Sequence, residues 1–445
     1  MKKADIVIVG GSAAGITAGI TARRHYPGKS ILLVRKEKLV PIPCGIPYIF
    51  GTVGSPEKNL IPDLVLEKND IDLLIAEALC LDLNSKTLKT SAEDIEYERL
   101  VIATGSSPVI PAISGIDMDG VFSILKDTDH LSCLQERVKN AEHVVIIGGG
   151  FIGIEFADEI KKSGTPNVTV VEIAPHCLSL AYDDDFCIEM EKHLSSRGID
   201  ILAGSKVASI EGYGSVKTVV LSDGKSIPAD LVILGIGATA NAELGKLAGL
   251  DVTEVGAIAV DRNMKTSDDS VFACGDCAQK VSFFGGKPSP LKLASIATVE
   301  ARIAGANLFE IKRESIGTVG VWSTAVGDLA MGTAGLTATA AEKAGYAVVT
   351  ATVECPNRHP GGMPGTQATR MKLLFEKSSG VILGGQVMGD VAVGEVINTL
   401  SACIQKKMTA EDMAMFQTGT HPALTASPIA YPLVNAAELA IAQMK

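Results

Sequence analysis

Hydrophobic residues along this chain alternate between two periods, and the switches mark its elements. ADIVIV at 4–9 is a short β-rich run that ends in GGSAAG, after which small residues repeat at helical spacing. SILLV at 30–34 is a second such run. The same order returns at 143–172, where HVVII leads into GGGFIGIEF, a helical stretch, and a strand ending in Glu172. LVIATGSSP at 100–108 and SVFACGDCA at 270–278 are strands that each feed a small-residue turn. From about 321 the pattern changes to period two. AVVTATVE, ATRMKLLFE and GVILGGQVMG predict an antiparallel sheet, and helical periodicity resumes after Gly394. The chain therefore predicts an α/β protein with two strand, loop and helix units, followed by a third domain of α+β type without a phosphate loop.

The two glycine turns carry the first chemistry. A dinucleotide fingerprint wants one glycine for the turn, a second where pyrophosphate approaches the backbone, and a third where helix packs on strand. Gly148, Gly150 and Gly153 meet all three requirements, while in the first unit Gly10 and Gly15 flank Ser12 in the middle place. An acidic residue at the end of the following strand would hold a ribose hydroxyl. Glu172 stands there in the second unit and would repel a 2′-phosphate, so NADH is preferred to NADPH. The first unit has Arg35 at that point, with Glu37 two residues on, and its ribose partner stays open. Asp276 is well placed to bind a polyol hydroxyl. Cys274 and Cys277 have the spacing of a redox pair or half a zinc site, but a cofactor turn at Gly275 and Asp276 explains the stretch without either.

Composition narrows the function. A chain of 445 residues with 47% hydrophobic and 20% charged residues is a folded protein of several domains. Its net charge of −11 argues against non-specific binding to nucleic acid or to an anionic membrane, which leaves small molecules as partners. No apolar run approaches the ~18 residues of a membrane span, and MKK runs straight into a strand, so a cytoplasmic protein is expected. Nine cysteines without a framework fit a compartment where thiols stay reduced. One of them stands apart. Cys44 lies in VPIPCGIPYIF between two prolines and a glycine. Pro47 should push Ile46 out of the α region and begin a helix with Cys44 just ahead of it, where the helix dipole favours a thiolate.

Taken together, GGSAAG, PCGIPY, the ATG turn, GGGFIGIE, the GD at 275–276 and the C-terminal sheet resemble the FAD-dependent pyridine nucleotide-disulfide oxidoreductases. Within them they resemble the single-cysteine branch of coenzyme A-disulfide reductases, NADH-dependent persulfide or polysulfide reductases, and NADH oxidases. The resemblance implies two Rossmann-like domains, an FAD domain of 1–112 and 246–320 and an NAD domain of 113–245, plus a dimerisation domain of 321–445. It implies FAD contacts at Gly10, Ser12, Ala13, Ala14, Gly15, Arg35, Lys36, Ala103, Thr104, Gly105, Gly237, Gly275 and Asp276, and NADH contacts at Gly148, Gly150, Phe151, Ile152, Gly153 and Glu172. Glu155 matches a glutamate beside the nicotinamide. Arg23, Arg24 and Tyr48 match positions facing a coenzyme A substrate, and the active site would be shared across a homodimer.

The implied reaction passes electrons from NADH through FAD to a disulfide between Cys44 and a substrate sulfur, because no second cysteine lies within five residues of Cys44. His421, in THPALT, and His359, in NRHPGG, are the candidate proton donors; Ala426 stands where a glutamate would orient His421. Where oxidases and peroxidases place a histidine in the first glycine loop, this chain has Ala13. An oxidase cycling Cys44 through sulfenic acid is the alternative within the family, and a flavoprotein that senses NADH without turnover is the alternative outside enzymes.

Overall fold

The computed structural model describes residues 2–165 and 167–444. Contacts divide the chain into two compact units, one made of 1–112, 121–140 and 233–318, the other of 113–120, 141–232 and 319–445. Each is built around a parallel sheet, and the architecture is α/β with Rossmann-like sheets.

In the first unit the 4–9 run lies within the strand Lys2–Val9, whose Ile6, Val7 and Ile8 are fully buried. Burial on both faces is what a central parallel strand requires. Ile31–Arg35 pairs with it on one side and Asp94–Ile102 on the other, both in parallel. Asp72–Ile75 extends the sheet beyond Ile31–Arg35, Val271–Ala273 joins Asp94–Ile102 in parallel, and an antiparallel pair, Thr87–Thr90 and Ala78–Asp82, completes it. The register sets Val9 beside Ile102 and Ile102 beside Ala273. Consequently the segments beginning at Gly10, Ala103 and Cys274 leave the sheet side by side, at the carboxyl edge where such sheets bind ligands.

The helix Ala13–His25 explains its own small residues. It packs against Ala294–Asn307 so closely that a Cβ on Gly305 would lie 2.5 Å from the Ala18 carbonyl oxygen. Ala18, Ala22, Ala301 and Ala304 are fully buried along the same contact.

In the second unit His143–Ile147, Asn167–Val171 and Ile199–Leu202 form the parallel core, with Phe151–Lys162 as the crossover helix. A three-stranded antiparallel sheet of 207–228 follows, which the hydrophobic pattern had not indicated. Residues 321–389 form a five-stranded antiparallel sheet in the order Val321–Val326, Leu329–Gly335, Ile382–Gly389, Ala368–Glu376, Val348–Pro356. Val393–Gln405 lies on the strands 329–335 and 382–389, and Pro432–Met444 on 348–356 and 368–376. No described helix is long and apolar enough to cross a membrane.

Candidate active site

The first unit gathers the flavin-loop residues. Gly10 has φ +120°, a conformation open to glycine, and a Cβ there would lie 2.1 Å from the Ala103 carbonyl oxygen. A Cβ on Gly15 would sit 1.9 Å from the Gly10 oxygen. Ser12 has φ −101° and ψ −161°, extended backbone that any residue adopts, so serine in the middle place costs nothing. Its side chain does not cap the helix, so the first-turn amides of Ala13, Ala14 and Gly15 are presented to an anion with the dipole behind them. Thr104 and Asn241 hold the next turn by reciprocal bonds, Thr104 Oγ1 to the Asn241 carbonyl at 2.6 Å and Asn241 Nδ2 to the Thr104 carbonyl at 3.0 Å. The Gly237 carbonyl accepts from Val109 N–H at 3.0 Å. Asp276 accepts from Ser106 Oγ at 2.8 Å. A cradle that single Cβ atoms would fill, beside an uncapped helix start and a carboxylate, fits the pyrophosphate and polyol of FAD.

Arg35 does not reach for a ligand. Its side chain is 1% exposed, and its guanidinium donates to both Asp63 carboxylate oxygens, at 2.6 and 2.9 Å, and to the Glu37 and Lys38 carbonyls. A Cβ on Gly11 would meet Arg35 Cδ at 2.4 Å, so the arginine stem is the floor of the loop. Lys36 is exposed beside it. Arg23 is similarly committed: Nε, Nη1 and Nη2 donate to the carbonyls of Asn69, Pro27, Lys29 and Asp70, which ties the helix end to its neighbours. Arg24 is exposed and Tyr48 half-buried.

The Cys44 turn corrects the expectation drawn from Pro47. Ile46 has φ −58° and ψ −47°, inside the α region, and Cys44 lies within a one-turn 3-10 helix, Pro43–Gly45, that abuts a second, Pro47–Phe50. The buried Ile46 side chain and its N–H bond to the Pro43 carbonyl override the pre-proline preference. With only 3-10 turns beside it, Cys44 has no long helix to supply a dipole. It is exposed and outside any disulfide. Its loop is held by Asn59, a residue the sequence offered no sign of: Asn59 Nδ2 donates to the Ile42 carbonyl and the Asn59 carbonyl accepts from Ile42 N–H, both at 2.9 Å. The side-chain oxygen of Asn59 fills the place where a Cβ on Gly45 would go, at 2.0 Å. Cys274 and Cys277 are fully buried, and burial pushes both thiols up, so they pack rather than react.

The second unit repeats the loop. Gly148 has φ +111°, and a Cβ on Gly153 would sit 1.8 Å from the Gly148 oxygen. Gly150 begins the helix without a side-chain cap. The Glu172 carboxylate accepts from the Gly149 and Ala174 amides, each at 2.6 Å, which fixes it at the loop. Phe151 stacks on Trp322 with centroids 6.0 Å apart and planes 10° from parallel; Ile152 is exposed. Glu155 is not a solvated helix residue: burial pushes its carboxyl up to about 7, opposed by a 2.8 Å hydrogen bond from Thr324 Oγ1 and reinforced by Glu159. Thr324 lies in the strand Val321–Val326, far along the chain, where no local pattern singles it out.

His359 and His421 lie on adjoining loops, joined by His359 N–H to the Pro422 carbonyl at 3.0 Å. A carbonyl only accepts, so His359 Nδ1, 3.1 Å from the Thr425 oxygen, carries a proton and leaves Nε2 as the basic nitrogen. Ala423 N–H donates to His421 Nδ1 at 3.2 Å, so the order is reversed in that ring. The two rings are thus engaged at Nδ1 in opposite senses, one donating and one accepting. His421 is exposed and His359 half-buried.

Comparison with known proteins accords with these loops. Residues 4–301 match the family described as pyridine nucleotide-disulphide oxidoreductase, and 321–429 match the dimerisation domain of that family. A protein of Methanocaldococcus jannaschii named NADH oxidase is 31% identical over 453 residues, covering 98% of this chain and 99% of its own. A Pyrococcus furiosus protein named NAD(P)H sulfur oxidoreductase (CoA-dependent) is 32% identical over 441 residues, 98% of each chain. Among solved structures, a NAD-dependent persulfide reductase from A. fulgidus superposes with a TM-score of 0.92 at 30% identity, covering 99% of this chain and 83% of that one.

Proposed function

The chain belongs to the pyridine nucleotide-disulphide oxidoreductases, flavoproteins that draw electrons from NAD(P)H through FAD, and from that premise we propose that it reduces a low-molecular-weight disulfide, persulfide or polysulfide at Cys44. The observation that carries this reading is an exposed cysteine on a turn braced by Asn59, in the same unit as the flavin loop, with no second cysteine within five residues. FAD, held by the Gly10–Gly15 loop, the Ala103–Gly105 turn and Asp276, would supply the two-electron chemistry that links NADH to sulfur. The Cys44 thiolate attacks one sulfur of R–S–S–R, forming a Cys44–S–S–R bond as the substrate S–S bond breaks and the first thiolate leaves to be protonated. Two electrons and a second proton then free the other thiol and restore Cys44. The sum is NADH, a proton and R–S–S–R giving NAD⁺ and two R–SH. A leaving thiol of low pKa speeds the exchange, which favours persulfides and polysulfides.

The other residues divide the remaining work. Glu172 holds a ribose hydroxyl and disfavours a 2′-phosphate, so NADH is the donor. Glu155, facing the nicotinamide as its carboxylate, offsets the positive charge that develops as hydride leaves. In a homodimer built on residues 321–445, the loops with His359 and His421 face Cys44 of the second copy and protonate the departing thiolate, a step worth roughly 10²- to 10⁴-fold. Because the His359 ring is anchored through Nδ1 on the Thr425 carbonyl, whereas the His421 ring is held, among the described residues, only by the nearby Ala423 amide, His359→Ala should slow reoxidation by disulfide at least about tenfold and His421→Ala less; equal slowing of flavin reduction in either variant would mean a damaged dimer. Arg24 is the cation available to a coenzyme A phosphate, Arg23 being held by carbonyls.

The test is anaerobic stopped flow with NADH and each acceptor in turn. Cys44→Ser should keep FAD and its reduction by NADH, yet lose turnover with disulfide and polysulfide by about 10³-fold or more. Retained disulfide reduction in that variant would sink the proposal. The second reading, favoured by the relatives named NADH oxidase, is electron delivery to O₂; Ala13 in place of a loop histidine counts against it, and oxygen consumption exceeding every sulfur rate would establish it.

A further inference from the structure

Behind the Gly275–Asp276 turn lies an ion pair withdrawn from water. Lys280 and Glu300 have side chains 3% and 5% exposed and lie 2.8 Å apart, Nζ to Oε2. Both close on one residue, gripping the two peptide units that flank its Cα. Glu300 Oε2 accepts from Gly275 N–H at 2.9 Å, and Lys280 Nζ donates to the Gly275 carbonyl at 2.6 Å and to the Ala278 carbonyl at 3.2 Å. Gly275 itself has φ +78°, and a Cβ there would lie 2.8 Å from Ala14 Cβ, so the turn presses on the first turn of the phosphate-binding helix. Glu300 is carried on Ala294–Asn307, the helix packed against that same helix.

Such a pair is a poor way to gain stability. Removing two charges from water costs about as much as their attraction returns, and packed hydrophobic residues often replace a buried pair without loss. Burial indeed pushes the Glu300 carboxyl up, against the opposing pull of Lys280 and the Gly275 amide. What apolar side chains cannot do is hold the N–H and the C=O of a single glycine from opposite ends.

We propose that Lys280 and Glu300 are positioning residues for FAD, orienting the Gly275 peptide so that the Asp276 carboxylate and the Ala13–Gly15 amides meet one molecule of FAD at the same time. The pair acts through the turn and does not touch the reacting atoms. The inference needs FAD and the Asp276 contact but is independent of which sulfur compound is reduced.

Removing both partners separates positioning from stability. In Lys280→Met/Glu300→Leu the charges go together and the volume is kept, so the apoprotein should melt within a few degrees of the parent while its FAD dissociation constant, followed by flavin fluorescence, rises at least tenfold. Glu300→Gln keeps an acceptor for the Gly275 amide and for Lys280, and should hold that constant within about threefold. Asp276→Ala is the control: if it binds FAD as the parent does, the Asp276 contact is wrong whatever the pair does. A double variant with the parental dissociation constant would overturn the proposal, and so would one that does not fold, since the pair would then serve folding alone. A tenfold loss in Glu300→Gln would overturn it as well, by showing that charge rather than hydrogen bonding matters.

Discussion

The two glycine loops are one design with opposite residues beneath it. In both, the third glycine is demanded by the carbonyl of the first, at 1.9 Å for Gly15 and 1.8 Å for Gly153. In both, the middle residue starts a helix without a side-chain cap, and its backbone is extended, so Ser12 and Gly150 are equally at ease. The glycine directly after the first rests on the end of the following strand: Gly11 on Arg35, its last residue, and Gly149 on Glu172, one residue past Val171, and on Cys177. There the loops part. Arg35 is consumed by Asp63 and two carbonyls, whereas Glu172 is held at the loop by two amides and keeps lone pairs for a further hydrogen bond. The same position is a floor in one unit and, in the proposed function, a discriminating residue in the other. Two residues after the third glycine the helices differ again, with Thr17 in the first and the half-buried Glu155 in the second.

The largest expected effect tests whether the loops are independent. Gly15→Ala should yield protein without flavin, because the helix must retreat by about an ångström, a displacement that costs on the order of 100-fold. Gly153→Ala should keep flavin absorbance and slow its reduction by NADH to a similar degree. Loss of both cofactors in either variant would break the comparison. Next comes the residue under each loop. Glu172→Ala should raise the KM for NADH about tenfold and narrow the preference over NADPH, since it removes a charged acceptor worth roughly 1.5–3 kcal/mol. Arg35→Leu should instead lower the melting temperature, leaving Asp63 and two carbonyls unpaired, with NADH preference unchanged.

The smallest effect is the most specific. Because the Glu155 carboxyl is held up to about 7, flavin reduction should rise with pH through that value, and Glu155→Gln should flatten the limb, slowing the reaction about tenfold at pH 8 and hardly at pH 5.5. Thr324→Val, which removes the bond favouring the charged form, should move the midpoint to higher pH, and Thr324→Ser should restore it. The sign for stability is opposite to that of an ordinary paired carboxylate. The folded chain binds the proton more tightly than the unfolded one, so the cost is absent below the ordinary value of 4.5, grows as pH rises, and is complete above 7. Glu155→Gln should therefore gain thermal stability above pH 7 and none at pH 4. A rate independent of pH in the parent would remove Glu155 from the nicotinamide site.

Local sequence determined the parts whose causes are local. A β-rich run followed by closely spaced glycines has few outcomes, because the turn needs positive φ and the helix a residue without Cβ, and the strands Lys2–Val9 and His143–Ile147 follow from that. Period-two patterning likewise places Ala368–Glu376 at the bounds expected. What tertiary structure alone decided is how polar groups are spent. Nothing near Arg35 in sequence reveals that Asp63 will claim it, nor that Arg23 will serve carbonyls, nor that Asn59 will brace the Cys44 turn. The pre-proline rule failed at Ile46 because a buried side chain and one hydrogen bond outweigh a local preference. Glu155 acquires its poise from a threonine some 170 positions away, and the Gly275 peptide from a lysine and a glutamate on separate elements. A backbone preference acts between neighbours, so the chain displays it; desolvation and hydrogen bonding act between whatever the fold brings within 3 Å, and only the fold says what that is.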